Sequence, residues 1–456
     1  MSDTIAAIAT GGTISAIGII RISGGDAITA ADKVFRASSG IRLTDAGNRR
    51  MYYGELTGVD GGLIDLCLCM VSRGPDSYTG EDTVELHCHG SPLVLSEALR
   101  VLFSHGIRQA EAGEFTKRGF LNGRMDLTRA EAVIDLIESE TAAAAQNAAG
   151  QLRGAIAVRL EAVYSGLLDI MAHFHAVIDY PDQDIDDFKM QTYLATLRNA
   201  REELERMLST HERGKILRDG VATAIIGRPN TGKSSLLNAL VGYDRAIVTE
   251  FPGTTRDTIE EKILIGGILL RLIDTAGLRK PNDTIEQLGI GRTLDALRDA
   301  GLAILVLDGS EPLRDEDYDA LRSIPAGLPK LVVINKSDLP CGMQPDALAK
   351  YDINYCRVSA LTGAGFDSFD AEIERMFPDL GVQPSGEVIT NARQADAISR
   401  ALNSVCYAIS AIEMAVTPDA VLTDIESALA TIGEVTGKTM RDDIISRIFE
   451  RFCVGK

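Results

Sequence analysis

The 456-residue sequence predicts a multidomain α/β protein: an N-terminal α+β domain, then a discontinuous α-helical domain into which a parallel-sheet domain is inserted. Three observations lead there. The first stretch is Gly-rich, with short β-forming runs between turn signals. Apolar residues recur at helical spacing on both sides of the middle. The middle itself alternates short apolar runs with helical segments, the pattern of a parallel sheet covered on both faces. At roughly 100–200 residues per domain the length fits two to four domains. The boundaries fall at 1–118, 119–216, 217–379 and 380–456.

Taken in order, Ile17–Ile22, Leu63–Val71 and Thr83–Cys88 read as strands, and Asp26–Phe35 and Leu93–Ser104 as helices. From Leu152 the apolar positions Ile156, Leu160, Val163, Leu167, Met171, Phe174 and Ile178 trace one face of a long helix, preceded by the Ala-rich helical stretch Thr141–Ala149. Val221–Ile226, Ile268–Ile273, Ala303–Leu307 and Leu331–Ile334 read as buried parallel strands. Helical spacing returns at Ile398, Leu402, Val405, Ile409 and Ile412, and again at Ile425, Leu429 and Ile432. So apolar a tail needs a partner surface. The earlier helices supply it, which makes the helical domain discontinuous.

A formal net charge of −19 argues against coating nucleic acid through bulk charge, since phosphate binding needs basic surface. Seven cysteines, none in a C-x-x-C, read as reduced thiols. The first residues lack a basic segment, and no apolar run is long enough for a membrane span. The expectation is a cytoplasmic protein with no membrane association.

The chemistry concentrates in the inserted domain. Gly227-Arg-Pro-Asn-Thr-Gly-Lys-Ser234 is a G-x-x-x-x-G-K-S loop between a strand and the helix Ser235–Leu240. Asn230, Thr231, Gly232, Lys233, Ser234 and Ser235 would line phosphates, with Lys233 neutralising the outer ones and Ser234 ligating Mg2+. Asp274-Thr275-Ala276-Gly277 ends the next strand and puts a carboxylate beside the metal and an amide near the γ-phosphate. Asn335-Lys336-Ser337-Asp338 ends another. Asp338 can accept from the ring N–H and the amino group of guanine, a donor pair adenine lacks. Ser359-Ala360 would offer backbone N–H to the guanine carbonyl. The phosphate loop, Asp274–Gly277 and Asn335–Asp338 in this order define a Ras-like P-loop GTPase domain binding GTP.

Thr249-Glu250-Phe251-Pro252-Gly253-Thr254-Thr255 reads as a nucleotide-sensing switch, with Thr255 completing the Mg2+ shell. Ras-like enzymes run from the D-x-x-G glycine to a catalytic Gln. Here Leu278 follows Gly277, and leucine cannot orient water. A monovalent cation could supply the missing charge, held by the Asn230 side chain and by backbone carbonyls of the Thr249–Thr254 segment. A turn residue after Pro229 is the other reading of Asn230.

Further motifs lie outside this domain: Ile19-Ile20-Arg21-Ile22-Ser23-Gly24, Tyr78-Thr79-Gly80-Glu81-Asp82 with Glu85-Leu86, Gly113-Glu114-Phe115-Thr116, Phe120-Leu-Asn-Gly-Arg124-Met-Asp-Leu127 and Phe452-Cys453-Val454-Gly455-Lys456. With them the chain resembles the tRNA modification GTPases of the MnmE (TrmE) family over its whole length. That resemblance implies an N-terminal folate-binding domain that pairs with a second copy in a homodimer. Arg21, Glu85, Arg124 and Lys456 would contact 5-formyltetrahydrofolate or a related one-carbon tetrahydrofolate. It further implies K+ held by Asn230, Thr249, Phe251 and Thr254, G domains that dimerise on GTP binding, and Glu286 positioning the attacking water. A flavoprotein partner of the MnmG type, in a heterotetramer, would help build an aminomethyl-type group at C5 of the wobble uridine of certain tRNAs. One departure is Gly11-Gly12-Thr13, where the family usually has a Pro/Gly pattern.

Other features have plainer readings. Cys453 is either a thiol near the folate or substrate carbon, counted with the catalytic candidates, or a structural cysteine; its Gly455-Lys456 ending fits prenylation poorly. His87-Cys88-His89 reads as packing, without a complete zinc-like ligand set. The alternative to a tRNA-modifying enzyme is a regulatory or ribosome-assembly GTPase without one-carbon chemistry.

Overall fold

A computed structural model describes residues 3–179, 190–242, 261–273, 296–343, 348, 353–378, 386–450 and 452–455. Packing divides the chain into two compact units: 1–134 with 152–200 and 400–456, and 135–151 with 201–399.

The first unit is built on a seven-stranded sheet. Its strands are β1 (Ile5–Ile8), β2 (Ser15–Ser23), β3 (Phe35–Ala37), β4 (Arg50–Thr57), β5 (Leu63–Ser72), β6 (Thr83–Gly90) and β7 (Arg108–Gln109), in the order β3-β4-β5-β6-β2-β1-β7. All pairs are antiparallel except β1 with β7. Alternation decides which face is covered. Ile20, Ile22, Val84, Leu86, Cys67, Cys69 and Cys88 point to a core closed by the helices Ala27–Val34 and Pro92–Ser104. On the opposite face Ile17, Met51, Tyr53, Leu66 and Leu68 are exposed.

The helix Ala155–Asp179 runs along Pro418–Thr436 in the same unit. Ile156, Leu160, Val163, Leu167 and Phe174 are buried as their spacing predicts. Two details differ from the sequence expectation. Leu152 ends a separate helix, Ala142–Leu152, because Gly154 takes a left-handed φ of 91° and breaks the continuity. Ile170 is buried and Ile178 is 40% exposed, since a 3.6-residue period drifts away from a strict 4-4-3 spacing. Ile425, Leu429 and Ile432 are buried as expected.

The second unit holds a six-stranded sheet. It comprises β8 (Val221–Ile226), β9 (Glu261–Ile265), β10 (Ile268–Ile273), β11 (Leu302–Asp308), β12 (Lys330–Asn335) and β13 (Asn354–Arg357), ordered β13-β12-β11-β8-β10-β9. Every pair is parallel except β9 with β10. Central strands are apolar on both faces and separate two clusters of buried side chains. Strand order reverses at β8, so the carboxyl ends of β8, β11 and β12 open onto the crevice where such sheets bind ligands. Segment 135–151 is tied to this unit by Lys262 Nζ to Glu140 Oε1 at 2.5 Å and Arg218 Nε to Asp135 Oδ1 at 3.4 Å.

Candidate functional site

The phosphate loop leaves β8 and enters the helix Lys233–Gly242, whose N-terminus and dipole favour an anion. Its backbone needs glycine. Gly232 has φ 92°, and a Cβ there would lie 2.2 Å from Asn335 Nδ2; at Gly227 it would lie 2.4 Å from the Val306 carbonyl oxygen. Asn230 also takes a left-handed φ of 63°, which asparagine tolerates better than most residues. Lys233 Nζ donates to the carbonyls of Gly227 at 2.7 Å and Arg228 at 2.8 Å, so its charge is held over the loop. Burial, then the Arg228 charge, lowers its pKa.

The base-recognition motif is bonded to that loop directly. Asn335 Nδ2 donates to the Thr231 carbonyl at 3.0 Å, and Asn335 Oδ1 accepts from the Ala360 amide at 3.0 Å. Ser359 Oγ donates to Asp338 Oδ1 at 2.5 Å, which fixes the carboxylate assigned to guanine. The structure therefore brings Thr231, Gly232, Asn335, Asp338, Ser359 and Ala360 into one bonded set. Ser234 and Ser235 open the helix behind it. Thr249, Glu250, Phe251, Pro252, Gly253, Thr254, Thr255, Asp274, Thr275, Ala276, Gly277, Glu286 and Lys456 lie outside the described residues.

Sequence reasoning missed a layer of charges under this site. Arg228, 9% exposed, donates from Nη2 to Glu311 Oε2 at 2.7 Å and from Nε to Asp317 Oδ2 at 3.3 Å. Asp308, at the end of β11, accepts from Lys336 Nζ at 2.6 Å. No periodicity joins residues this far apart in sequence; only the register of the parallel strands does.

The first unit carries a second cluster. Arg21 on β2 and Glu85 on β6 are cross-strand partners, with Nε to Oε1 at 2.8 Å. The Arg21 guanidinium lies 5.1 Å from the Tyr78 ring centroid and 5.6 Å from that of Phe115. Tyr78 is held by its hydroxyl against Thr116 Oγ1 at 2.9 Å. Arg124 flanks the same loop, since a Cβ on Gly80 would sit 3.3 Å from Arg124 Cγ. The chain near Cys453 is stitched alongside: the Gly113 amide donates to the Cys453 carbonyl at 3.2 Å, and Ala112 bridges Val454. The structure thus sets the Arg21–Glu85 pair beside Tyr78, with Arg124 against Gly80 of the same loop, and brings the Cys453 backbone to the turn before Phe115. The Arg21 guanidinium lies by two aromatic rings while its partner Glu85 offers a carboxylate acceptor beside it. His89, by contrast, is engaged by Asp65 at 2.7 Å, and Cys88 is buried in the core.

A phosphate loop at the reversal point of a parallel sheet, bonded to an N-K-x-D turn, defines a P-loop GTPase. Comparison with known proteins narrows this. The family model for the MnmE helical domain matches residues 127–453, and that for the GTP-binding protein TrmE N-terminus matches 4–124. The tRNA modification GTPase MnmE of Symbiobacterium thermophilum is 42% identical over 100% of this chain and 99% of that protein. The one from Clostridioides difficile is 39% identical over 100% of both. The chain belongs to the MnmE family of tRNA modification GTPases. Among solved structures, a point variant of Aquifex aeolicus Era bound to GDP.AlF4− is 26% identical, covering 40% of this chain and 65% of that one, with a TM-score of 0.27.

Proposed function

We propose that this GTPase uses GTP hydrolysis to drive tRNA modification, adding a carboxymethylaminomethyl-type group at C5 of the wobble uridine together with a flavoprotein partner of the MnmG type. The observation that carries the reading is the presence, in one chain, of a bonded GTP site and an Arg21–Glu85 pair flanked by aromatic rings. In this reading the heterocycle is the pterin of 5-formyltetrahydrofolate or a related one-carbon folate, contacted by Arg21, Glu85, Arg124 and Lys456. The folate would supply the one-carbon unit. This chain's residues would orient its ring, with Tyr78 and Phe115 flanking the Arg21 guanidinium.

A homodimer fits the same face of the sheet. Arg21 and Glu85 share their register row with Met70 and Met51, and the next row on that face holds Leu68 and Tyr53. Met51, Tyr53 and Leu68 are exposed, so a second copy laid there would bury apolar surface beside the folate residues. In the GTPase unit Ser234 and Thr255 would hold Mg2+, and Asn230 with Thr249, Phe251 and Thr254 would hold K+ across dimerising G domains. Glu286 would position water, and Cys453 would stand near the one-carbon chemistry. The place of action would be the cytoplasm, where tRNA is the substrate.

Mass spectrometry of nucleosides from tRNA of cells lacking the protein tests this. The expected result is loss of the modified wobble uridine. A normal set would instead favour a regulatory or ribosome-assembly GTPase.

A further inference from the structure

Lys336 is the second residue of the N-K-x-D turn and adopts a left-handed φ of 63°. For a residue with a Cβ that conformation is strained and persists only where its surroundings over-determine it. The surroundings are Asp308 and its loop. Asp308 is 6% exposed and stands opposite Asn335 in the parallel β11–β12 ladder. Its Oδ1 accepts from the Ser310 amide at 3.0 Å and the Ser310 hydroxyl at 2.6 Å, which leaves Oδ2 for Lys336 Nζ at 2.6 Å. The Gly309 amide donates to the Asn335 carbonyl at 2.9 Å, so the loop is fastened to the turn by backbone as well. A Cβ on Gly309 would come within 2.9 Å of that same oxygen, which keeps the approach close.

Burial alone would raise the Asp308 carboxyl, but Lys336 and Ser310 outweigh it and hold it below the usual carboxylate range. The carboxylate is therefore ionised throughout the physiological range and able to anchor a cation. A lysine anchored by its ammonium offers its four-carbon stem as an apolar surface, the kind that covers the face of a planar ring. The same turn carries Asp338 two residues on.

We propose that Asp308 is a positioning residue of the guanine site: by pinning Lys336 it fixes the turn that presents Asp338 and places the lysine stem against the base. It touches no nucleotide atom itself; it acts through Lys336. The structural alternative is that Asp308 merely closes a loop. The two differ in what they do to base selectivity and to coupling between the residues.

The test uses the full-length chain and displacement of a fluorescent GDP analogue by GDP, by IDP (which lacks the 2-amino group) and by ADP. Asp308→Ala is expected to weaken GDP about 30-fold, roughly the worth of one charge-assisted contact to a buried group. It should narrow the GDP-to-IDP preference and raise KM for GTP while leaving kcat near that of the unaltered protein. Lys336→Ala should do the same, and the double variant should be no worse than either single one, because both remove one interaction. Asp308→Asn keeps the Ser310 contacts without the charge, so it should fold normally and show an intermediate loss. Additive effects in the double variant would overturn the proposal. So would an unchanged GDP-to-IDP ratio, or a fall in kcat at constant KM.

Discussion

The GTP site and the Arg21–Glu85 cluster differ in how far glycine, rather than side-chain charge, holds them together. In the GTP site Gly227 and Gly232 allow close approach to Val306 and Asn335, and the Asn335 side chain bonds main-chain atoms of Thr231 and Ala360 above the ion pairs of Arg228 and Lys336. The N-terminal cluster is held by side-chain charge. Behind Arg21 and Tyr78 lies a network in which Arg118 reaches Glu81 at 3.0 Å and Glu114 at 2.9 Å, while Arg108 also reaches Glu114 at 2.7 Å. Glu81 in turn accepts from Ser23 at 2.9 Å. A loop that depends on glycine fails on substitutions that add atoms. A site made of charge tolerates small steric changes and responds to pH.

That contrast can be broken at several points. The largest expected effect is on base choice: Asp338→Asn should weaken GTP by about 10³-fold, since a site built for a donor pair rejects its loss strongly, and should favour xanthosine nucleotides. Competition binding with GTP and XTP measures it. Next, Gly232→Ala should cost about a hundredfold in GTP affinity, because the left-handed φ of 92° and the 2.2 Å approach to Asn335 both oppose a Cβ. Binding of 5-formyltetrahydrofolate to the same variant should be unchanged.

The third effect is on stability in the charge-built region. Burial would raise the Glu114 carboxyl, but Arg108, the Glu111 amide and Arg118 outweigh that and hold it below its ordinary 4.5. A lowered folded-state pKa adds stability above the unfolded value and loses it as pH falls through the folded one. Glu114→Gln should therefore destabilise by about 2 kcal/mol at pH 7, with the gap closing below about pH 4.5 in denaturant titrations. The smallest effect is about tenfold: K+ should stimulate GTP hydrolysis over Na+, and Asn230→Ala should remove the difference. Equal rates of the unaltered protein in the two salts would defeat the cation role of Asn230.

The same contrast explains what could be read from the chain. Val221–Ile226 and Ile268–Ile273 match β8 and β10 at both ends, because a mostly apolar run bounded by a phosphate loop or an Asp-Thr-Ala-Gly has little freedom. Gly227–Ser234 and Asn335–Asp338 are legible because glycine and a short acidic turn are chemical requirements of a nucleotide. Asp308, Arg228 and Asp317 were not legible: their partners are distant in sequence and any surface carboxylate looks the same before the strands align. Arg21 and Glu85 were readable only by family resemblance. Their pairing is a matter of β2–β6 register, and that register depends on which face the helices cover. The short strands β3 and β7 escaped because two or three residues carry no period.

The central claim is that two separate sites serve one reaction on tRNA, and a separation of functions tests it most directly. Cells lacking the protein would be supplied with the unaltered chain, with Gly232→Ala or with Glu85→Gln, and their tRNA nucleosides measured alongside the GTPase rate of each purified chain. The account expects both variants to lose the modified wobble uridine, while Glu85→Gln keeps its GTP hydrolysis. Normal modification in cells carrying Glu85→Gln would contradict it.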